Sequence, residues 1–172
     1  MMDHFAVDKA LSTMTVLCDT REQNTLRARK RFKQIGVPIE RAALSFGDYS
    51  VRCDVLDLRD NVAIERKMDL SELSHCYCQE RKRFVREFER AKEAGAKLYL
   101  LVENGSLDEA YSGHYRARVH PKSLTASMLA WLARYNCQIL FCKEENSGQV
   151  IHDVLYRELK ERLEAMPDEE AI

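Results

Sequence analysis

The chain has no apolar run approaching the roughly 20 residues that a membrane span needs, so no bilayer crossing is expected. Its start, "MMDHFAVDKALSTM", has an acid at the third residue and no apolar core, so it does not resemble a secretory signal. There is no internal repeat and no low-complexity linker. A second cysteine pair is missing too. "HCYC" at 75–78 is C-x-C rather than C-x2-C and nothing downstream matches it, so helix packing is expected there rather than zinc. Without an export signal, the six cysteines read as reduced thiols in a cytoplasm. Net charge is nearly absent as well: the formal value of −1 excludes neither a polyanionic nor a cationic partner.

The small total hides an uneven distribution. Arg21 to Lys33 contains six basic residues against one acid, and Arg81 to Lys92 six against two. From Asp153 onward seven acids face three bases. Two basic helical segments could therefore face a polyanion, or form ordinary solvated faces. A length of 172 residues with 45% hydrophobic and 32% charged residues fits one globular domain.

Residues 1–13 read as a flexible leader, 14–165 as the domain and 166–172 as a frayed tail. "TMTVLCD" (13–19) is a short buried strand. "TLRARKRFKQIG" predicts a helix with Leu26, Phe32 and Ile35 inward, closed by Gly36. Strands follow near 48–53 and 61–67, a helix begins around Ser71, and a second covers 80–95 with Phe84, Phe88 and Ala91 on one face. "KLYLLVE" (97–103) barely alternates, as expected of a strand covered on both faces. A long polar loop (104–121) then precedes a helix at 122–135, a strand at 137–142 and a helix from Gly148 to about Glu164. Helices alternating with buried strands give the α/β class, a mixed central sheet flanked by helices.

The stretch "GDYSVRCDVLDLRDNVAIERK" (47–67) carries the chemistry. Residues two apart in a strand share a face, about 6.7 Å apart along the chain, so Glu65 and Lys67 project together and Arg66 projects oppositely. A hairpin can bring Asp48 beside Glu65. Two carboxylates and an ammonium at adjacent strand ends suit Mg²⁺, which takes one or two carboxylates and keeps waters for a substrate phosphate. A lysine there can stabilise charge developing on phosphate.

"VLCDTRE" (16–22), the Gly-Asp-Tyr of "LSFGDYSV" and the Glu-Arg-Lys of "AIERKMDLSEL", in this order, resemble the XPF-type structure-specific endonuclease domain of the PD-(D/E)xK, restriction-endonuclease-like superfamily. The resemblance runs from about Val16 to Glu103 and more loosely to about Leu163. It implies a restriction-endonuclease-like fold and an Mg²⁺- or Mn²⁺-dependent endonuclease for branched, flap or fork DNA. Asp48 and Glu65 match the metal-binding carboxylates, with Glu22 as a further acid near the metal. Lys67 matches the catalytic lysine and Arg66 the motif arginine. Asp19 matches a residue that shapes the site. One position departs: the family's last Asp, four residues after the lysine, is Ser71 here. A capping role would survive in serine; a catalytic one would pass to Asp69 or, next, Glu72.

Arg81, Arg83 and Arg86, and Tyr115, Arg116 and Lys122 in or beside the long loop, are the candidates for holding a DNA backbone and stacking on bases. Trp131 reads as core or dimer interface. Val150, Ile151, Val154, Leu155 and Leu159 form an apolar stripe suited to a homodimer through the C-terminal helices, or to burial within the monomer. The resemblance also implies a stand-alone version of the domain, of the kind found in bacteria and their phages, in the cytoplasm; in a eukaryote it would be nuclear. Two other readings stand beside the nuclease: a catalytically silent XPF-like DNA-binding subunit of a repair or recombination complex, and an α/β protein whose charge cluster is fortuitous.

Overall fold

The computed structural model describes residues 2–167. Six strands form one sheet: β1 (Thr15–Asp19), β2 (Ile39–Ala42), β3 (Tyr49–Arg52), β4 (Val62–Lys67), β5 (Lys97–Glu103) and β6 (Cys137–Cys142). Their order is β2-β1-β3-β4-β5-β6. β3 runs antiparallel to both β1 and β4, while β1–β2, β4–β5 and β5–β6 are parallel. The sheet is therefore mixed, and the fold is the α/β arrangement expected.

Side-chain alternation divides the core. One layer joins Ile64, Tyr99 and Leu101 to α1 (His4–Leu11), α2 (Leu26–Ile35) and α7 (Ser147–Ala165). The opposite layer joins Ala63, Leu98, Leu100 and Val102 to α3 (Leu70–Cys78), α4 (Arg81–Glu93), α5 (Leu107–Ser112) and α6 (Pro121–Arg134). β4 and β5 are covered on both faces, which is why β5 reads as a continuous apolar run. In the second layer Trp131 is fully buried, its ring 4.8 Å from that of Tyr77 and stacked at 5.8 Å on Phe84.

Three expectations change. Residues 4–11 are a helix rather than a loose leader. Asp3 caps it, accepting from the Ala6 N–H at 2.8 Å, and Val7, Ala10 and Leu11, at helical spacing, are buried in the core with α7 residues. Leu26, expected inward, is 63% exposed; α2 buries Ile35 as expected, together with Ala28 and Arg31. The loop at 104–121 contains α5, capped by Ser106. Of the two roles open to the apolar stripe of the last helix, burial within the monomer is the one observed: Ile151, Leu155 and Leu159 are fully buried, and Val150 and Val154 pack beside them. Of the expected tail, Met166 accepts a hydrogen bond from the Met2 N–H at 3.0 Å; residues 168–172 lie outside the described residues.

Candidate active site

The site lies where β3 begins and β4 ends. Gly47 turns the chain with φ of +73°, and a Cβ there would sit 2.7 Å from that of Ala63. Only glycine accepts that φ without strain while passing so close to β4. The close approach lets the Asp48 N–H donate to the Ile64 carbonyl at 2.8 Å, while the Asp48 carbonyl accepts from the Asp19 N–H at 2.8 Å. Asp48 Oδ2 accepts from the Arg66 N–H at 2.8 Å. Its carboxylate is thus fixed by the backbone of the strand carrying Glu65.

Alternation does the rest. Ala63, Glu65 and Lys67 share the β4 face turned to α3 and α4, and Asp48 precedes the Tyr49–Val51 parity that faces the other layer. Glu65 and Lys67 are both buried, and Lys67 Nζ donates to Glu65 Oε1. Lys67 Nζ also lies 5.3 Å from the Phe84 ring centroid. These groups open into a cavity of about 390 Å³, which Glu22, Arg66, Glu72, Arg83 and Glu87 also line.

Two buried carboxylates against one ammonium leave an excess negative charge in a poorly solvated place. Burial raises the Asp48 carboxyl to about 6 despite Lys67 and the Arg66 N–H. Burial and the neighbouring Asp48 raise Glu65 to about 8. Burial would lower Lys67, but the charges of Glu65 and Asp48 hold its ammonium above the ordinary lysine range. Such perturbed groups in a cleft mark a functional site more often than a structural one.

Glu65 Oε2 is buried and has no hydrogen-bond partner. An acceptor left bare at that cost beside a second carboxylate fits a hard divalent cation with one or two protein carboxylates and several waters. Among the described residues no three of His, Cys, Asp and Glu converge into a ready-made cage, so Asp48 and Glu65 would be the principal protein ligands.

The opposite face of β4 holds a buried ion network. Arg66 Nη1 donates to Glu103 Oε2 at 3.1 Å, and Arg66 Nη2 lies 3.8 Å from Glu22. Glu103 Oε1 accepts from Ser147 Oγ at 2.5 Å. Arg31 bridges from α2, donating to Glu22 Oε1 at 3.0 Å and to the Tyr49 hydroxyl at 2.9 Å. Glu22 therefore reaches the cavity already held by two guanidiniums.

The remaining acids divide between structural positions and the cavity lining. Asp19 is saturated: its carboxylate accepts from the Arg21 N–H and side chain and from the Leu44 N–H. Burial would raise it, but these bonds keep it below the usual carboxylate range. Asp69, first choice to replace the missing aspartate, caps α3, accepting from the Glu72 N–H at 2.8 Å. Its side chain lies outside the cavity, whereas Glu72 lines it and also accepts from the Met68 N–H at 2.6 Å. Ser71 is not the cap either; its Oγ accepts from the Arg116 N–H at 3.0 Å.

Sequence reasoning missed Glu87, Glu103 and Arg31. Glu103 was findable, because β4 and β5 are parallel with Lys67 opposite Val102, which puts an acid at the same sheet end. Glu87 sits beside the inward Phe84 and Phe88 of α4, a position that helical spacing marks as partly covered. Arg31 lay in a basic run, and charge alone gives no sign that it is buried.

Of the candidate DNA contacts, Arg83 lines the cavity. Arg86 is exposed on α4, and Arg81 is exposed with its guanidinium 5.2 Å from the Trp131 ring centroid. Tyr115 is half-buried, its hydroxyl donating to the Val119 carbonyl at 2.6 Å. Arg116 lines a second cavity next to α3, and Lys122 is exposed at the start of α6.

The ERCC4 domain profile matches residues 18–153. Among solved structures, XPF from Aeropyrum pernix is similar, with a TM-score of 0.60 and 21% identity over 89% of this chain and 62% of that one. This chain thus spans less than two thirds of that protein's length. No curated protein sequence matches.

Proposed function

Because the chain belongs to the ERCC4-domain family of XPF-type nuclease domains, we propose that it is a divalent-metal-dependent DNA endonuclease that cuts branched, flap or fork DNA. The observation that carries this reading is the pair Asp48 and Glu65 at adjacent strand ends, with a buried, unpartnered Glu65 oxygen and Lys67 on the same face. A Mg²⁺ or Mn²⁺ ion, when bound, would polarise the scissile phosphate and lower the pKa of a bound water.

The chain's own groups would then act as follows. Asp48 and Glu65 supply the negative charge that holds the ion. Lys67, released from Glu65, offers its ammonium to the charge developing on phosphate or to the attacking water. Arg66 fixes Asp48 through its backbone N–H and keeps Glu22 and Glu103 in place. Arg83 at the cavity rim, with Arg81 and Arg86 on the same helix, takes the flanking backbone phosphates.

The test is incubation with Mg²⁺ or Mn²⁺ and a panel of duplex, flap, fork and four-way junction DNAs. Asp48→Asn or Glu65→Gln should abolish cutting while DNA binding remains. Substantial residual cutting by both variants places the metal elsewhere. Binding without cutting by the wild type points to the silent-subunit reading. The same family likeness supports a homodimer; with the α7 stripe buried, Leu129 and Leu132, exposed together on α6, are the pair of apolar residues proposed to meet. Light scattering on a Leu129→Glu, Leu132→Glu variant checks it, a monomeric variant of a dimeric wild type being the supporting result.

A further inference from the structure

A second cavity, of about 400 Å³, backs onto the active site across the start of α3. Lys67 and Glu72 line the active cavity, whereas Met68 to Ser71 between them line the second. The two spaces are therefore neighbours on either side of the segment that joins β4 to α3. The cationic lining of the second comes from two distant segments, Arg27 of α2 and Arg116 of the α5–α6 loop, with His114 beside them.

One carboxylate, that of Asp69, lines this space. Asp69 caps α3. Glu144 meets Arg27 Nε at 3.2 Å in a largely exposed pair, of the kind that contributes little and yields to a competing anion. Arg116 has no ion-pair partner among the described residues. Its backbone N–H donates to Ser71 Oγ. Among the described residues, that is the one hydrogen bond from residues 113–120 to any element outside α5 and α6.

We propose that this cavity is a phosphate subsite for the DNA strand flanking the cut, and that Ser71 is its positioning residue, docking the 113–120 loop so that Arg116 faces Arg27. The subsite rests on the nuclease reading above. At position 71 a hydroxyl anchors the loop and adds no second carboxylate to that of Asp69, which already lines the space.

Fluorescence anisotropy of a labelled forked DNA, in EDTA and across a KCl series, tests it with the full chain. Arg116→Ala and Ser71→Ala should each weaken binding about tenfold, and Arg116→Ala should flatten the salt dependence by about one unit of slope. Ser71→Thr should restore binding, and Ser71→Asp should weaken it further than Ser71→Ala. The double variant Ser71→Ala, Arg116→Ala should bind no worse than Arg116→Ala alone, because the serine acts through that arginine. Multiplying effects, or unchanged binding in Ser71→Ala of unchanged melting temperature, overturn the proposal while leaving the nuclease reading intact. A wild-type chain that neither binds nor cuts the fork overturns both.

Discussion

Metal binding at this site should be governed by protons. Asp48 and Glu65 carry carboxyls raised to about 6 and about 8, both by burial and Glu65 also by the charge of Asp48, and a divalent cation needs both bare. At pH 6 roughly one molecule in 200 has both deprotonated; at pH 8 about half do. Apparent Mg²⁺ or Mn²⁺ affinity should therefore rise about 100-fold between pH 6 and pH 8, with about one proton released per ion near pH 7. The sign for stability follows. The folded, metal-free chain keeps protons that the unfolded chain loses near the ordinary carboxylate range, so its stability declines as pH rises from about 4.5 through about 8. Added metal offsets that decline and should stabilise most at the alkaline end. Lys67, held above its ordinary range, does not titrate in this window. Calorimetric metal titrations in two buffers of different ionisation enthalpy count the protons, and melting curves with and without Mn²⁺ at pH 6 and pH 8 measure the stabilisation. Metal affinity flat across this range, with no proton release, would refute the reasoning.

Gly47→Ala should cost about 2–5 kcal/mol, since it adds left-handed strain to a collision with Ala63; a denaturant melt within 1 kcal/mol of wild type would contradict it. Asp69→Ala should cost about 1 kcal/mol through the lost cap of α3, whereas Ser71→Ala should leave the melting transition nearly unchanged; equal losses from both would be inconsistent with the cap assignment. Arg83→Ala should weaken binding to all DNA sequences alike and shallow the salt slope by about one unit, and a changed sequence preference would instead indicate base contact.

Which side chains meet on one strand was readable from the sequence, because alternation is a property of the local backbone. Glu65 and Lys67 had to share a face, Arg66 had to oppose them, and Gly47 followed by Asp48 marked the turn into the neighbouring strand. The buried strand 97–103 and the inward face of Phe84, Phe88 and Ala91 were equally plain, since period 2 and period 3.6 are imposed by geometry that each segment carries alone. Helix α1 was misread as a leader: Val7, Ala10 and Leu11 have helical spacing, but only the packing against α7 gives that face something to bury against. Tertiary structure decided the rest. Arg31 and Glu103 form a buried pair from segments 72 residues apart (103 minus 31), an arrangement that no local pattern encodes. Asp69 and Ser71 are both competent caps, and the path of the chain leaving β4 gave the cap to Asp69 and freed Ser71 for the loop bearing Arg116. The raised carboxyls of Asp48 and Glu65 likewise exist only because packing α3 and α4 over β4 removes water from two acids that sequence alone would leave ordinary.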